Sequence, residues 1–513
     1  MYRTIASFDT ARLKSDTNPK KTFQSYSKPP ITYPMKKLIL SVFFAALVAA
    51  NTTQAAPVLN SYPTATATIF LDFDGHDVSS SMWNYGTPFT CAPAAMTDLQ
   101  ITEAFNRVSE DFRPFNINVT TDMNKFLAAP LSMRVRIVVT PTSAWYAGVA
   151  GIAYVTSFTW GDDTPAFVFS DRLNNDAKRV AEAISHETGH TLGLYHQSAY
   201  DANCALTSSY NTGIGTGETS WGPIMGNAAV RNMTQWNYGA TPNGCAVLQD
   251  NLNIITTTNG FGYRADDYAD LYTSAVAVSI TANIFNRTGV ITTASDKDYF
   301  RFDLGQNGQF KMTVTPYAVG ANNNGANLDA RIILQNAAGT VIATYDYADS
   351  LHANMDTVLN AGTYYIIIDG AGNVNSNNDY GSLGAYTIDG YYSGTTTTTT
   401  TTTTTKGKTT TSTGGTTGGK RKETNASLTN INATDEINDT KVFKVIKQAQ
   451  QPVIVNATEA YEYMVVDNYG RTIMLGKAPA GTKMIDIRNQ PAGIYNLRLM
   501  NANEQRVEKF MNK

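Results

Sequence analysis

His186-Glu187-Thr188-Gly189-His190-Thr191-Leu192-Gly193-Leu194-Tyr195-His196 holds three of the five histidines in a chain of 513 residues. Packing gives no reason for that density, since a core uses at most an occasional imidazole. One metal ion does give a reason. His186 and His190 stand four residues apart, on one face of a helix and about one turn from each other, ~5–6 Å. Glu187 is the next position around and can reach a water held at that metal. Gly193 allows a positive-φ bend that ends the helix, and His196 can then swing back as a third ligand. Three neutral imidazoles with one open position are the donor set of a catalytic Zn2+, at bonds of ~2.0–2.1 Å. Zinc lowers the pKa of bound water to ~7, and Glu187 would act as general base.

The surrounding pattern supplies a scaffold. Thr66 to Phe73 is β-branched and apolar and reads as a strand. Leu99 to Phe112 places Ile101, Ala104, Phe105, Val108 and Phe112 at helical spacing. Met133 to Thr140, Gly151 to Val155 and Ala166 to Ser170 read as further strands. Ala177 to Leu192 is the helix carrying the histidines, with Val180, Ile184 and Leu192 as core contacts. A last helix is expected around Val247 to Ile255.

The motif resembles that of the metzincin zinc endopeptidases, His-Glu-x-x-His-x-x-Gly-x-x-His followed by a methionine turn. Trp221-Gly222-Pro223-Ile224-Met225-Gly226 is the matching downstream segment. The resemblance implies an α/β (α+β) catalytic domain with a twisted mixed sheet and a zinc helix. It also implies that Met225 forms the apolar floor beneath the imidazoles without ligating. Some metzincins carry a ligating tyrosine two residues after that methionine; Asn227 stands here, so the role is not carried over. The family holds its substrate along an antiparallel edge strand before the zinc helix. By resemblance the candidate is Phe167, Val168, Phe169 and Ser170, by strand addition.

Two further features bear on metals and crosslinks. Leu71-Asp72-Phe73-Asp74-Gly75-His76 could hold calcium or a second metal, which leaves room for a structural Ca2+. The plainer reading, a strand running into an Asp-Gly turn, is preferred. The three cysteines are Cys91, Cys204 and Cys245. Cys204 and Cys245 flank the methionine turn, and a bond between them would contribute roughly 3–4 kcal/mol. On arithmetic alone Cys91 is an equal partner.

Export is written near the N-terminus. Met35-Lys36-Lys37, the apolar run Leu38 to Ala50 and the small residues before Pro57 form a secretory signal peptide over residues 35–56, cut after Ala55 or Ala56. The run is too short to span a bilayer, and no other segment qualifies. Residues 1–34 are polar and are expected to be absent from the mature protein, either because Met35 is the true start or as a long extension of the signal.

The catalytic domain is assigned residues 57–265. Beyond it Tyr, Thr, Asn and Gly become frequent, and Phe300 to Leu304, Gln309 to Pro316, Ala330 to Leu334, Val341 to Tyr345 and Gly362 to Ile368 read as strands of a β-sandwich over 270–393. Asp296-Lys297-Asp298-Tyr299-Phe300, Asn327-Leu328-Asp329-Ala330 and Ala361-Gly362-Thr363-Tyr364-Tyr365-Ile366 resemble the bacterial pre-peptidase C-terminal domain. Its role is read as a spacer or as a binding module for carbohydrate or protein, and His352 within it as filler. The threonine run from Thr395 to Thr405 opens a linker over 394–424 that can bury no core. Residues 425–513 read as a second all-β sandwich. Asp467-Asn468-Tyr469-Gly470-Arg471, Pro491-Ala492-Gly493-Ile494-Tyr495 and the last strand Val507 to Phe510 resemble the C-terminal sorting domain of the type IX secretion system of the Bacteroidetes.

Lys and Arg total 39 against 42 Asp and Glu, a net charge of −3, so nucleic acid is not expected as a partner. The expected partners are protein or peptide substrates and the type IX machinery, and the expected state is a monomer at the cell surface or in the medium. Two functions compete: an active secreted zinc endopeptidase, and a surface adhesion protein retaining an idle protease fold. Glu187 favours the first, because an idle site needs no base beside the water.

Overall fold

The computed structural model describes residues 5–9, 56–80, 82–281, 283–319, 324–376, 378–394, 443–446, 453–467, 472–487, 493–501 and 505–512. The segment read as a signal peptide, up to residue 55, the segment read as a linker, 395–424, and residues 468–471 and 491–492 of the motifs that resemble a sorting domain lie outside that set. The architecture is multidomain and mostly β, with few helices.

The first domain is organised by one six-stranded sheet. Its strands are β1 (Ile5–Asp9), β2 (Ala67–Asp72), β3 (Ile117–Thr120), β4 (Arg134–Thr140), β5 (Val149–Tyr154) and β6 (Ala166–Phe169). They stand side by side in the order β1-β5-β6-β4-β2-β3. β3, β2, β4 and β6 are mutually parallel, whereas β5 joins β6 antiparallel and β1 joins β5 antiparallel. Helix α1 (Asp98–Asp111) starts at a reciprocal cap in which Thr97 Oγ1 accepts from the Gln100 amide and Gln100 Oε1 accepts from the Thr97 amide. Helix α2 (Ala177–Thr191) starts at Asp176, whose carboxylate accepts from the Arg179 amide at 2.9 Å.

Both faces of the sheet are covered, which is why its strands are continuous apolar runs. Ile137, Val139 and Val168 join Phe105, Val108, Val180 and Ile184 of the two helices in one core. Val138, Ile152, Phe167 and Phe169 point the other way, into an aromatic cluster around Trp83 with Phe89 and Trp145 against it.

Two expectations are corrected. Phe167 to Ser170 is not an edge: β6 lies between β4 and β5, and all four residues are buried. The antiparallel strand next to the helix is β5 instead. Val247 to Ile255 is not one helix either. Gly244–Asp250 is a strand paired with Tyr238–Thr241 in a hairpin, followed by a single helical turn Asn251–Asn253 and a wider turn Ile254–Thr258. Val247 and Leu248 are exposed on that hairpin. The segment Ile5–Asp9, expected to be absent from the mature protein, here occupies the outer side of β5.

The second domain is a two-sheet sandwich. Lys297–Leu304, Gly362–Gly370, Ala330–Asn336 and Val341–Tyr345 are successive neighbours in one sheet, with Val276–Ala277 at its edge. Ile284–Ile291, Gly384–Gly394, Gly308–Pro316 and Ala353–Leu359 form the other. Gly308–Pro316 alternates strictly between buried and half-buried residues, the period-two signature of a strand with one face inward. Its core is continuous with that of the first domain: Phe105 and Val108 belong to the same apolar cluster as Phe310 and Ile388. The third domain has a separate core around Val455, Val465, Leu497 and Leu499. It is built of the sheets Phe443–Ile446, Val453–Ala457, Gly481–Ile485 and Thr472–Ala478, Tyr461–Asp467, Gly493–Met500, Gln505–Asn512.

Candidate metal centre

The C-terminal half of α2 carries His186, Glu187 and His190, all fully buried. The helix stops after Thr191, where Gly193 takes φ +97 and its amide bonds the His190 carbonyl at 2.9 Å. The chain then reverses and brings His196 back. Ring centroids of the three imidazoles lie 4.7, 4.8 and 5.2 Å apart, and one ligating nitrogen from each lies within 4.8 Å of the others.

Hydrogen bonds set the tautomers. His186 Nδ1 faces the Ile224 carbonyl at 2.8 Å and His190 Nδ1 faces the Leu194 carbonyl at 2.7 Å. A carbonyl only accepts, so each Nδ1 carries the proton and each Nε2 presents a lone pair to the centre of the group. His190 Nε2 and His196 Nε2 stand 3.1 Å apart, a separation suited to two ligands sharing one ion at bonds of ~2.0–2.1 Å. Burial pushes the His186 pKa well below its ordinary value, helped by the neighbouring imidazoles, and brings that of His190 to about 3 for the same reasons. Neutral imidazole is the form a metal takes. The residues fit a zinc ion.

The remaining pieces close around this group. Met225 is fully buried beneath α2, so close that a Cβ on Gly189 would lie 2.4 Å from its sulfur. The Met225 carbonyl accepts from the Gln197 amide at 2.7 Å, so the segment Ile224-Met225 holds the residue after His196 as well as His186. Glu187 packs on the backbone of β5: a Cβ on Gly151 would lie 2.6 Å from Glu187 Oε1. Tyr210, which the sequence reading did not single out, lays its ring 4.4 Å from that of His196 and 6.4 Å from that of His186. It lies fourteen residues past His196, so no local spacing marks it.

The other expected residues fall as follows. Cys204 and Cys245 are joined by a disulfide, while Cys91 is buried as a free thiol whose pKa burial pushes up to about 12. Asp72 ion-pairs with Arg136 rather than facing a metal, and burial lowers His76 to about 4. His352 is not filler: its Nδ1 meets Ser350 Oγ at 2.5 Å and lies 3.9 Å from Glu218 of the first domain. Acidic groups do converge where the first domain passes into the sandwich, as Asp266, Asp267, Asp298 and as Asp266, Asp270, Asp296. Oδ1 of Asp296 and of Asp298 is buried without a hydrogen-bond partner, and burial raises their pKa values to about 6 and about 9. Among the described residues no helix is long and apolar enough to cross a membrane.

No protein-family model matches the chain, and no curated protein is similar to it. Among solved structures, the pre-peptidase C-terminal domain of a collagenase from Bacillus anthracis matches 25% of this chain and 97% of its own length, at 13% identity and a TM-score of 0.17. The Yersinia pseudotuberculosis-derived mitogen matches 21% of this chain and 85% of its own, at 16% identity and a TM-score of 0.16. A periplasmic inhibitor of g-type lysozyme from Salmonella Typhimurium matches 23% and 97%, at 15% identity and a TM-score of 0.16.

Proposed function

We propose that this chain is a secreted zinc-dependent endopeptidase of metzincin type. The observation that carries the reading is the convergence of His186, His190 and His196 on one point, with the Glu187 carboxylate buried beside them against β5. His186, His190 and His196 would hold the zinc, which would supply a Lewis acid for the scissile carbonyl and a bound water of pKa ~7. Glu187 takes the proton of the attacking water and returns it to the leaving amine. The carbonyls of Ile224 and Leu194 hold the two helical imidazoles in the ligating tautomer.

A peptide substrate is supported by what lies along β5. Ile5–Asp9 runs antiparallel to it with Phe8 opposite Gly151, the residue against which Glu187 packs. A peptide laid on the same edge would cross the site in extended form. In this reading the mature chain begins near residue 57, the edge is open, and the substrate-holding strand is β5.

Under the same proposal the middle domain is of the pre-peptidase C-terminal kind and residues 425–513 are a type IX sorting domain that carries the enzyme to the cell surface or medium. Any structural Ca2+ belongs with Asp266, Asp267 and Asp298 or with Asp266, Asp270 and Asp296 rather than with Asp72 and Asp74. The test compares the secreted form with its Glu187→Ala variant for zinc content and for cleavage of an unfolded protein. Both should bind zinc and only the parent should cleave. Cleavage of no member of a broad peptide library by the zinc-loaded parent would overturn the reading.

A further inference from the structure

Asn327 lies in the sandwich domain, in a segment leading to the strand Ala330–Asn336, yet its hydrogen bonds run to Asp111, Thr234 and Gln235 of the other domain. Its Nδ2 donates to Asp111 Oδ1 at 2.7 Å, and Asp111 Oδ2 accepts from Ser185 Oγ at 2.6 Å. Ser185 is the residue before His186. In the other direction, Asn327 Oδ1 accepts from the Thr234 amide at 3.3 Å, and its carbonyl accepts from Gln235 Nε2 at 2.5 Å. The Gln235 carbonyl accepts from the Ile224 amide at 2.9 Å, and the Ile224 carbonyl is the partner of His186 Nδ1. Two routes of buried hydrogen bonds therefore leave one residue: the one from its side chain ends on Ser185, the neighbour of His186, and the one from its main-chain carbonyl reaches the carbonyl that holds His186 Nδ1. Trp236 Nε1 adds a third tie to the Asp111 carbonyl at 2.7 Å.

All members are at least nine-tenths buried: Asn327 is 4% exposed, Asp111 5%, Gln235 3% and Ser185 0%. A buried polar group is costly unless every partner is in place, so a satisfied network of this kind fixes one geometry. What it fixes here is the spacing between α2, which carries two imidazoles, and the methionine turn, which orients one of them.

We propose that Asn327 is a positioning residue for the metal centre, so that the sandwich domain completes the outer shell around His186 rather than acting as a spacer. This rests on the zinc-endopeptidase reading above. Removing the Asn327 side-chain amide frees Asp111 to turn away from Ser185 and takes its acceptor from the Thr234 amide, which neighbours Gln235 in the strand that holds Ile224, letting the His186 ring rotate off the shared point.

The experiment uses the full secreted chain and three variants. Asn327→Ala removes the side-chain bonds to Asp111 and to the Thr234 amide and keeps the main-chain carbonyl that Gln235 meets. Asn324→Ala removes a bond across the same interface, Arg107 Nη2 to Asn324 Oδ1 at 3.2 Å, that leads to no metal ligand. The double variant Asp111→Asn with Asn327→Asp reverses the donor and acceptor while keeping acceptors for Ser185 and Thr234. Zinc affinity is read by competition with a chromogenic chelator, alongside Tm, kcat and KM. Asn327→Ala should weaken zinc binding by about 10–100-fold, the usual effect of losing an outer-shell partner, and lower kcat more than KM. Asn324→Ala should leave zinc affinity within about 3-fold of the parent, as should the exchanged pair, which also answers the question if Asn327→Ala does not fold. The proposal fails if folded Asn327→Ala keeps parental zinc affinity, or if the folded exchanged pair loses it as Asn327→Ala does. A parent that binds zinc but cleaves nothing overturns the endopeptidase reading alone, and the zinc comparison still decides the role of Asn327.

Discussion

Replacing Gly151 by alanine puts one methyl group against the proposed general base. The added Cβ would lie 2.6 Å from Glu187 Oε1, 2.7 Å from its Cγ and 2.9 Å from its Cδ. Ordinary contact begins near 3.4 Å, so the carboxylate must retreat by about 0.8 Å. Glu187 is fully buried and the helix behind it is packed on α1, so the retreat cannot be absorbed by swinging into solvent. A displacement of about 1 Å at a reacting group costs on the order of 100-fold, or about 2.7 kcal/mol in the barrier. Overpacking adds roughly 1–3 kcal/mol of lost stability. The three atoms nearest the added methyl all belong to Glu187 and none to a histidine, so zinc content should stay near one per chain. The assay is kcat/KM on a quenched fluorescent peptide, with zinc by atomic emission and Tm by calorimetry. A zinc-loaded Gly151→Ala enzyme with more than half the parental kcat/KM would refute the reasoning, because Glu187 would then not be where the chemistry needs it.

Three other perturbations follow from the same geometry. Gly193→Ala forces an alanine into φ +97 at the reversal that returns His196; it should cost about 1–2 kcal/mol and release zinc at lower chelator concentrations. Cys245→Ser opens a crosslink spanning 41 residues, and the loop-entropy relation gives a loss of about 4 kcal/mol, read from the denaturation midpoint. Folding raises the Asp298 pKa from 3.8 to about 9 by burial, so without divalent cations the native state holds a proton that the unfolded chain releases, and stability falls as pH rises across that window. Asp298→Asn should flatten the decline of Tm between pH 6 and 9; a bound Ca2+ should also flatten it, and an unchanged slope in both would exclude the Asp298 assignment.

How much could be read beforehand depended on how local each signal was. The imidazole spacing, the Gly193 reversal and the periodicities of α1, α2, β2 and β4 are contained in windows of a dozen residues, and the elements formed there. Strand order is set by partners far away, and there the reading of an edge at Phe167 to Ser170 failed. A local clue was present. Ala166-Phe167-Val168-Phe169 has no polar alternation, which marks a strand covered on both faces and therefore interior. Val149-Ala150-Gly151-Ile152-Ala153-Tyr154 offers small residues where α2 and Glu187 press on its backbone, as a strand beside a helix-borne site requires. The helix expected over Val247 to Ile255 ignored Asn243-Gly244, a hairpin signal that prevailed over apolar spacing.

The link between the domains was illegible for a different reason. Asp111, Ser185, Gln235 and Asn327 are each unremarkable where they stand: a helix-terminal aspartate, a helical serine, a strand glutamine and a loop asparagine. Their meaning lies in pairing across separations of 74 and 216 residues. Burying such groups without partners would cost on the order of 1–3 kcal/mol each. The interface that satisfies them is therefore part of what makes the metal centre stable, and the sandwich is part of the site's structure. A fragment ending near residue 265 would divide the apolar cluster that the two domains share and leave Asp111 without its donor and Gln235 without its acceptor in Asn327. Such a fragment should hold zinc less tightly than the chain that includes residues 270–393, and equal affinity in the two would show that the first domain shapes its centre alone.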